Sequence, residues 1–142
     1  MGVARQERAG LSAQHSSAAR VQDVLARFKA KHGSDWALLP EKAVFQLNDT
    51  HPTIGVAELM RLLVDQEGLD WSTAKDYTTR CIAFTNHTVM PEALERWPVK
   101  VMAELLPRHV EIIKQLDVDW CARARAFWAV LRVLGFCVVF EC

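Results

Sequence analysis

The sequence predicts an α/β fold that is mostly helical, with two short strands paired in parallel. The first observation is a pair of short apolar runs of strand character, Ala43–Leu47 and Cys81–Phe84. The second is that more than thirty residues of helical pattern separate these runs, enough for a crossover between parallel strands. The third is that a polar turn follows each run, as at the strand ends of open α/β sheets where ligands bind.

The amino-terminal part predicts a single helix. Residues 1–20 are rich in Ala, Gln, Ser and Arg and have no apolar period, so we expect a disordered leading segment there. Apolar residues recur at helical spacing over 21–31, which predicts a short amphipathic helix. Gly and Pro within 32–42 indicate a loop before the first strand.

Two helices are predicted between the strands. The first begins near residues 52–53, because proline fits the first helical position, and its apolar face reaches Leu63. Gly68 is expected to end this helical region. Ser72 is expected to cap the second helix, which runs to about Arg80.

The carboxyl-terminal part is less regular. Prolines at 91, 98 and 107 each mark a position where a helix can begin. Residues 126–140 are almost entirely apolar, but this run is short for a membrane span and contains a central arginine. A strand-forming run, Cys137–Phe140, lies close to the terminus. We therefore treat 116–142 as a divergent apolar tail without an assigned element.

Composition limits the classes of partner. The chain has 142 residues and a formal net charge of zero, so we expect neither nucleic acid nor an anionic membrane as its main partner. Its four cysteines show no CxxC pairing, which favours reduced thiols. The first residues lack the apolar core of a signal peptide, so the expected location is cytoplasmic.

The polar turns are the candidate site. The strings are QLNDTHP at 46–52 and TNHTV at 85–89. Because parallel strands end at the same edge of a sheet, Asp49, His51 and His87 should lie near one another. The turns therefore indicate a site for a small polar ligand.

Residue types alone leave the chemistry of this site open. Asp49 and His51 could bind zinc, although the HExxH and CxxC spacings of strong zinc sites are absent. A histidine here could act as a general base, or it could hydrogen-bond sugar hydroxyls. In the purely structural alternative, Asp49 or Thr50 only caps the following helix.

Longer strings of the chain are similar to the α-glucan phosphorylases, the family of glycogen and starch phosphorylases. QLNDTHP, TNHTVMPEALERWPV at 85–99 and LLPRHVEII at 105–113 carry the resemblance, and 58–74 and 22–29 are also similar. The resemblance implies that 21–115 is part of the family's amino-terminal domain. It implies a fragment of a parallel-sheet, glycosyltransferase-like domain.

The resemblance also implies roles for individual residues. His87 matches the family's active-site histidine, which contacts the glucosyl unit at the reacting end. A polar wall beside the same sugar is matched by Asn48, Asp49 and His51. Thr88 and Glu95 match residues of the pocket on the β-side of the glucose.

The family transfers a terminal α-1,4-linked glucose from a glucan to inorganic phosphate and produces glucose 1-phosphate. Its cofactor is pyridoxal 5′-phosphate, held as a Schiff base by a lysine in a second domain. No segment of this chain resembles the one that carries the lysine. The resemblance therefore implies a part of the catalytic-site wall that is inactive alone. The alternatives are a non-catalytic protein that binds full-length phosphorylase subunits, and a product without function.

Overall fold

The computed structural model describes residues 2–88, 90 and 97–133, with side-chain surroundings defined between residues 17 and 123 of those ranges. The described residues form α-helices, two strands and two short helical segments of other types. In chain order these are α1 (Gly2–His32), a 3₁₀ turn (Trp36–Leu38), α2 (Leu39–Lys42), β1 (Phe45–Asn48), α3 (Ile54–Arg61), a π-helical segment (Leu62–Gln66), α4 (Trp71–Cys81), β2 (Ile82–Thr85), α5 (Val99–Leu105) and α6 (Pro107–Val133).

Helix α1 is longer than the sequence predicted. The expected helix over 21–31 is present, and α1 begins at Gly2, within the segment that was predicted to be a disordered lead. Residues 1–20 are rich in alanine, arginine and glutamine, which have high helix propensity and let the helix extend without an apolar period. The helix ends where Gly33 takes a φ of 65° and donates its amide to Lys29 O at 2.9 Å.

The core lies between α1, α3 and α6. One face of α1 contributes Val21, Leu25 and Phe28, all of them buried. The ring of Phe28 stacks on that of Trp36 with centroids 5.3 Å apart. Five fully buried residues from α2, α3, the π-helical segment and α6 complete the core: Leu39, Leu59, Met60, Leu63 and Ile112. This core fixes α3, which follows β1, in position against its neighbours.

The two strands pair in parallel, as predicted. The register runs from Phe45 opposite Ile82 to Asn48 opposite Thr85. Both strands lie slightly later in the chain than expected. Cys81 is the last residue of α4 rather than the first of β2, because the amide of Ile82 still bonds to Thr78 O. The side chain of Cys81 is fully buried.

One face of this sheet is uncovered. Successive side chains of a strand point to opposite faces, and the face that carries Val44, Gln46, Asn48, Ala83 and Thr85 is exposed throughout. Val44 is 71% exposed. Parallel sheets in complete α/β domains are covered on both faces, so these strands, predicted to be buried, lack half of their cover in this chain.

Helix α4 is capped by a different residue from the predicted one. Asp70 is the N-cap, and its carboxylate accepts the amide of Thr73 at 3.0 Å. Ser72 lies inside the first turn and donates its hydroxyl to the same carboxylate. The cap therefore starts two residues earlier than expected, and the prediction for Ser72 was wrong.

The other boundaries follow the prolines and glycines. Gly68 takes a φ of 71° after the π-helical segment, as expected for the end of that region. Pro98 is the N-cap of α5, and Pro107 begins α6. Helix α6 continues to Val133, while Pro91 and the strand-forming run at 137–140 lie outside the described residues. In the part of the chain that the structure describes, no helix combines the length and apolar character that a bilayer span requires.

Candidate functional site

The two polar turns lie at one edge of the sheet. The amide of Asp49 donates to Thr85 O at 2.8 Å, so the ladder between β1 and β2 continues one residue past Asn48. The amide of His87 then donates to Asp49 Oδ1 at 2.7 Å. These two bonds hold the turn after β1 to the turn after β2, as the parallel pairing predicted.

Asp49 has an unusual backbone conformation. Its φ is 59°, and among the described residues it is the only non-glycine with positive φ. Aspartate and asparagine tolerate this region better than most residues, because their short polar side chains bond locally. Here Asp49 bonds across to the second turn, so its conformation directs a carboxylate toward His87. A non-glycine held in this region is a recurrent feature of ligand sites.

Side-chain amides border the same edge. The imidazole Nε2 of His87 lies 3.4 Å from Asn48 Oδ1. Gln46 donates its Nε2 to the hydroxyl of Thr85 at 3.0 Å. Asn48, Asp49 and His87 are thus close together on an accessible surface. They present an amide, a carboxylate and an imidazole, which are the groups that recognise hydroxyl-rich ligands.

For the other predicted site residues, His51, Thr88 and Glu95, the structure gives fewer contacts. His51 is exposed in the turn before α3, and its closeness to His87 stays a prediction. Thr88 is half-buried, and its carbonyl accepts Asn86 Nδ2 at 2.7 Å. Glu95 lies outside the described residues.

The first turn is attached directly to α3. Thr53 donates both its amide and its hydroxyl to Thr50 O, at 3.3 and 2.7 Å, and α3 begins at the next residue. Neither Asp49 nor Thr50 caps the helix with its side chain, so the capping alternative is not what the structure shows. The buried hydroxyl oxygen of Thr50 has no hydrogen-bond partner within the described residues.

The described part of the site lacks two kinds of group. No cluster of three metal-binding side chains occurs among the described residues. Residues 46–51 and 85–88 contain neither lysine nor arginine. These turns therefore supply no Schiff-base nitrogen and no cation for the phosphate of pyridoxal phosphate.

A buried polar cluster is centred on Glu58 of α3, and the sequence reasoning missed it. Glu58 in α3 is 1% exposed. Its Oε1 accepts Gln22 Nε2 at 2.6 Å and Arg61 Nη2 at 2.9 Å. Its Oε2 accepts Arg61 Nε at 2.8 Å and His109 Nε2 at 2.7 Å. One carboxylate thus connects α1, α3 and α6.

A sequence signal for this cluster existed. Glu58 lies four residues after Ile54 and four before Leu62, so it shares a helical face with two apolar residues. A carboxylate on such a face is buried when the helix packs, and it then needs charged or polar donors. Arg61, three residues later, is one of these donors.

The surroundings of Glu58 favour its ionised form. Burial alone would raise the pKa of the Glu58 carboxyl. Hydrogen bonds from Arg61, His109 and Gln22 outweigh burial and lower this pKa from 4.5 to about 2. The cluster therefore stays charged at neutral pH.

Comparison with known proteins identifies the class of this chain. The profile of the carbohydrate phosphorylase family matches residues 12–132, a range that extends beyond the expected 21–115 at both ends. The H isozyme of α-glucan phosphorylase from Solanum tuberosum is 55% identical over 108 residues, which is 73% of this chain and 13% of the relative.

Other relatives agree. α-Glucan phosphorylase 1 of Arabidopsis thaliana is 52% identical over 103 residues, covering 71% of this chain and 11% of the relative. Glycogen phosphorylase of Chlamydia trachomatis is 51% identical over 105 residues, covering 74% and 13%. The chain belongs to the carbohydrate phosphorylase family. It spans only 11–13% of the length of these relatives.

The bond between Asp49 and the His87 amide can be tested by substitution. Asp49→Asn keeps a side-chain oxygen and tolerates positive φ, whereas Asp49→Gly tolerates the φ but removes the acceptor. We expect the His87 amide to exchange with solvent at a rate near that of the parent chain in Asp49→Asn, and several-fold faster in Asp49→Gly. Amide hydrogen exchange followed by NMR measures this, and equal exchange in the two variants would contradict the bond.

The charge of Glu58 gives the chain a specific acid sensitivity. Because its pKa is lower in the folded chain, Glu58 stabilises the fold fully above its ordinary value of 4.5 and loses this contribution as pH falls to about 2. The linked loss is about 3 kcal/mol of unfolding free energy.

Urea unfolding between pH 6 and 2 measures that loss, and Glu58→Gln should flatten the pH dependence. Asp76→Asn is the matched control, since its ion pair with Arg80 is exposed. If the unfolding free energy of both variants changed with pH as steeply as that of the parent chain, the stabilising role assigned to Glu58 would be contradicted.

Proposed function

We propose that this chain carries part of the sugar-binding wall of an α-glucan phosphorylase. The observation that carries the proposal is the grouping of Asn48, Asp49 and His87 at one sheet edge, fixed by the bond from the His87 amide to Asp49. Membership of the carbohydrate phosphorylase family supports a glucosyl unit as the ligand of that edge. In the proposed complete enzyme, a terminal α-1,4-linked glucose is transferred to inorganic phosphate.

The three side chains would divide the recognition of the sugar. Asp49 uses Oδ1 for the His87 amide, which leaves Oδ2 to accept a sugar hydroxyl. The imidazole of His87 and the amide of Asn48 can each donate or accept. Hydrogen bonds to hydroxyls that tighten as the glycosidic bond breaks lower the barrier of glycosyl transfer.

We propose that the chain is catalytically inactive alone. Support comes from the turns, which lack any lysine or arginine for the cofactor or substrate phosphate, and from the small share of the relatives that the chain spans. Pyridoxal phosphate would be held by another part of the enzyme. We also propose a cytoplasmic location, although one relative from Vicia faba is named a chloroplastic or amyloplastic isozyme.

A sugar titration tests the proposed site. Adding glucose to the isotope-labelled chain should shift the NMR signals of Asn48, Asp49 and His87 with millimolar affinity, because few hydrogen bonds are available and the surface is open. His87→Ala should weaken the shifts several-fold, whereas His32→Ala, at the end of α1, should not change them.

Two outcomes would contradict the proposal. Shifts confined to residues outside the two turns would show that the edge is not the sugar site. Release of glucose 1-phosphate from glycogen, with phosphate and pyridoxal phosphate present, would show that the chain is active alone.

A second candidate function is binding to full-length phosphorylase subunits. The uncovered face of the sheet favours it, because a small sheet without cover is open to contact with another chain, and Val44 beside β1 is 71% exposed. Val44→Asp should reduce co-purification with a purified phosphorylase at least several-fold.

Val118→Asp is the matched control, because Val118 is comparably exposed, at 62%, but lies on α6. Equal effects of both substitutions, or no co-purification of the parent chain, would exclude this candidate.

A further inference from the structure

We propose that Glu58 is a positioning residue for the sugar-binding edge: it fixes α3 against α1 and α6 and thereby fixes the turn that carries Asp49. The inference deepens the proposed function and rests on it for the identity of the ligand. It concerns a residue that faces the core rather than the ligand.

The first step is that Glu58 connects three helices through directional contacts. Gln22 reaches it from α1, Arg61 from α3 and His109 from α6. His109 is itself buried, at 8% exposed. Because an ionised carboxylate only accepts hydrogen bonds, each of these groups must present an N–H at a defined position.

The second step is that an ion pair joins the start of α6 to the segment that follows α3. Arg108, beside His109 on α6, forms a two-point ion pair with Asp65 of the π-helical segment, at 2.7 and 2.9 Å. This pair fixes the start of α6 next to the chain segment that follows α3. The titratable groups that act on Glu58 are Arg61 on α3 and His109 on α6, and Asp65 interacts electrostatically with both of these.

The third step connects α3 to the site. Glu58 lies one turn after Ile54, the first residue of α3. The amide of Gly55 bonds to Pro52 O at 2.9 Å, and Thr53 bonds to Thr50 O. Since a helix moves as a rigid unit, a shift of α3 moves the chain that leads to Asp49.

Close packing at the start of α3 restricts such a shift further. A Cβ added at Gly55 would meet Val21 Cγ2 of α1 at 3.5 Å, so the two helices approach closely there. Apolar contacts are non-directional, whereas a buried charge with several donors specifies one relative position. A buried ion pair is weak evidence for stability, and its better attested role is to specify one arrangement.

The test compares Glu58→Gln with a variant that weakens the same interface without touching the cluster. Ile112 on α6 is 1% exposed, and Ile112→Val or Ile112→Ala provides a series from which the variant with matching unfolding free energy is chosen. Amide hydrogen exchange of Asp49 and His87 is then measured in the full chain. We expect Glu58→Gln to speed exchange at both amides at least tenfold more than the matched Ile112 variant.

A second variant keeps the inference testable if Glu58→Gln does not fold. Gln22→Ala removes only the donor from α1, at an exposed position. It should speed exchange at Asp49 and His87 several-fold while leaving the amides of α4 unchanged. Equal exchange in the Glu58 and Ile112 variants, or parent-like exchange in Gln22→Ala, would overturn the positioning role.

The glucose titration separates this inference from the proposed function. If the parent chain shows the exchange pattern but no glucose-dependent shifts at the edge, Glu58 positions the turn and the sugar assignment fails. If glucose binds equally well to the parent chain and to Glu58→Gln, the sugar assignment is supported and the positioning role is overturned.

Discussion

The parallel pairing of β1 and β2 is the constraint on which the rest of the structure depends. Register fixes which residues emerge at the edge, and a slip of one residue would reverse the face of every side chain on the strand. With Asn48 opposite Thr85, the amide of Asp49 reaches Thr85 O, and the Asp49 carboxylate reaches the amide of His87. The helices between the strands are the crossover that makes this pairing possible.

Local sequence was sufficient for much of this arrangement. Two apolar runs separated by a helical crossover predicted a parallel pair, and polar turns at both strand ends predicted a shared edge. The pairing and the closeness of Asp49 and His87 are confirmed. Pro107 was expected to allow a helix start and begins α6, because its fixed φ and missing N–H suit that position.

Other features depended on packing that short patterns do not contain. Ser72 and Asp70 are both good caps, and only the chain geometry decides that Asp70 accepts the Thr73 amide. Residues 2–20 lack an apolar period, yet α1 includes them, as their helix propensity allows. Glu58 is a polar residue on an apolar face, and two of its donors come from 36 positions earlier and 51 positions later. Such long-range partners cannot be read from one segment.

The exposed face of the sheet is consistent with a chain that spans only a small part of its relatives' length. A two-stranded parallel sheet with one bare face is the kind of unit that further strands and helices normally cover. The relatives are far longer than this chain, so they contain additional sequence that could provide such cover. In the proposed function, the edge is one wall of a larger site, and the polar cluster around Glu58 holds it in position.

Direct detection of the hydrogen bond from the Asp49 amide to the Thr85 carbonyl tests the central claim most directly. A through-bond NMR coupling between these two groups would establish the parallel register in solution at the residue where the two turns meet. The account predicts a resolved coupling between Asp49 N and the carbonyl carbon of Thr85. A folded chain in which Asp49 couples to another carbonyl would contradict it.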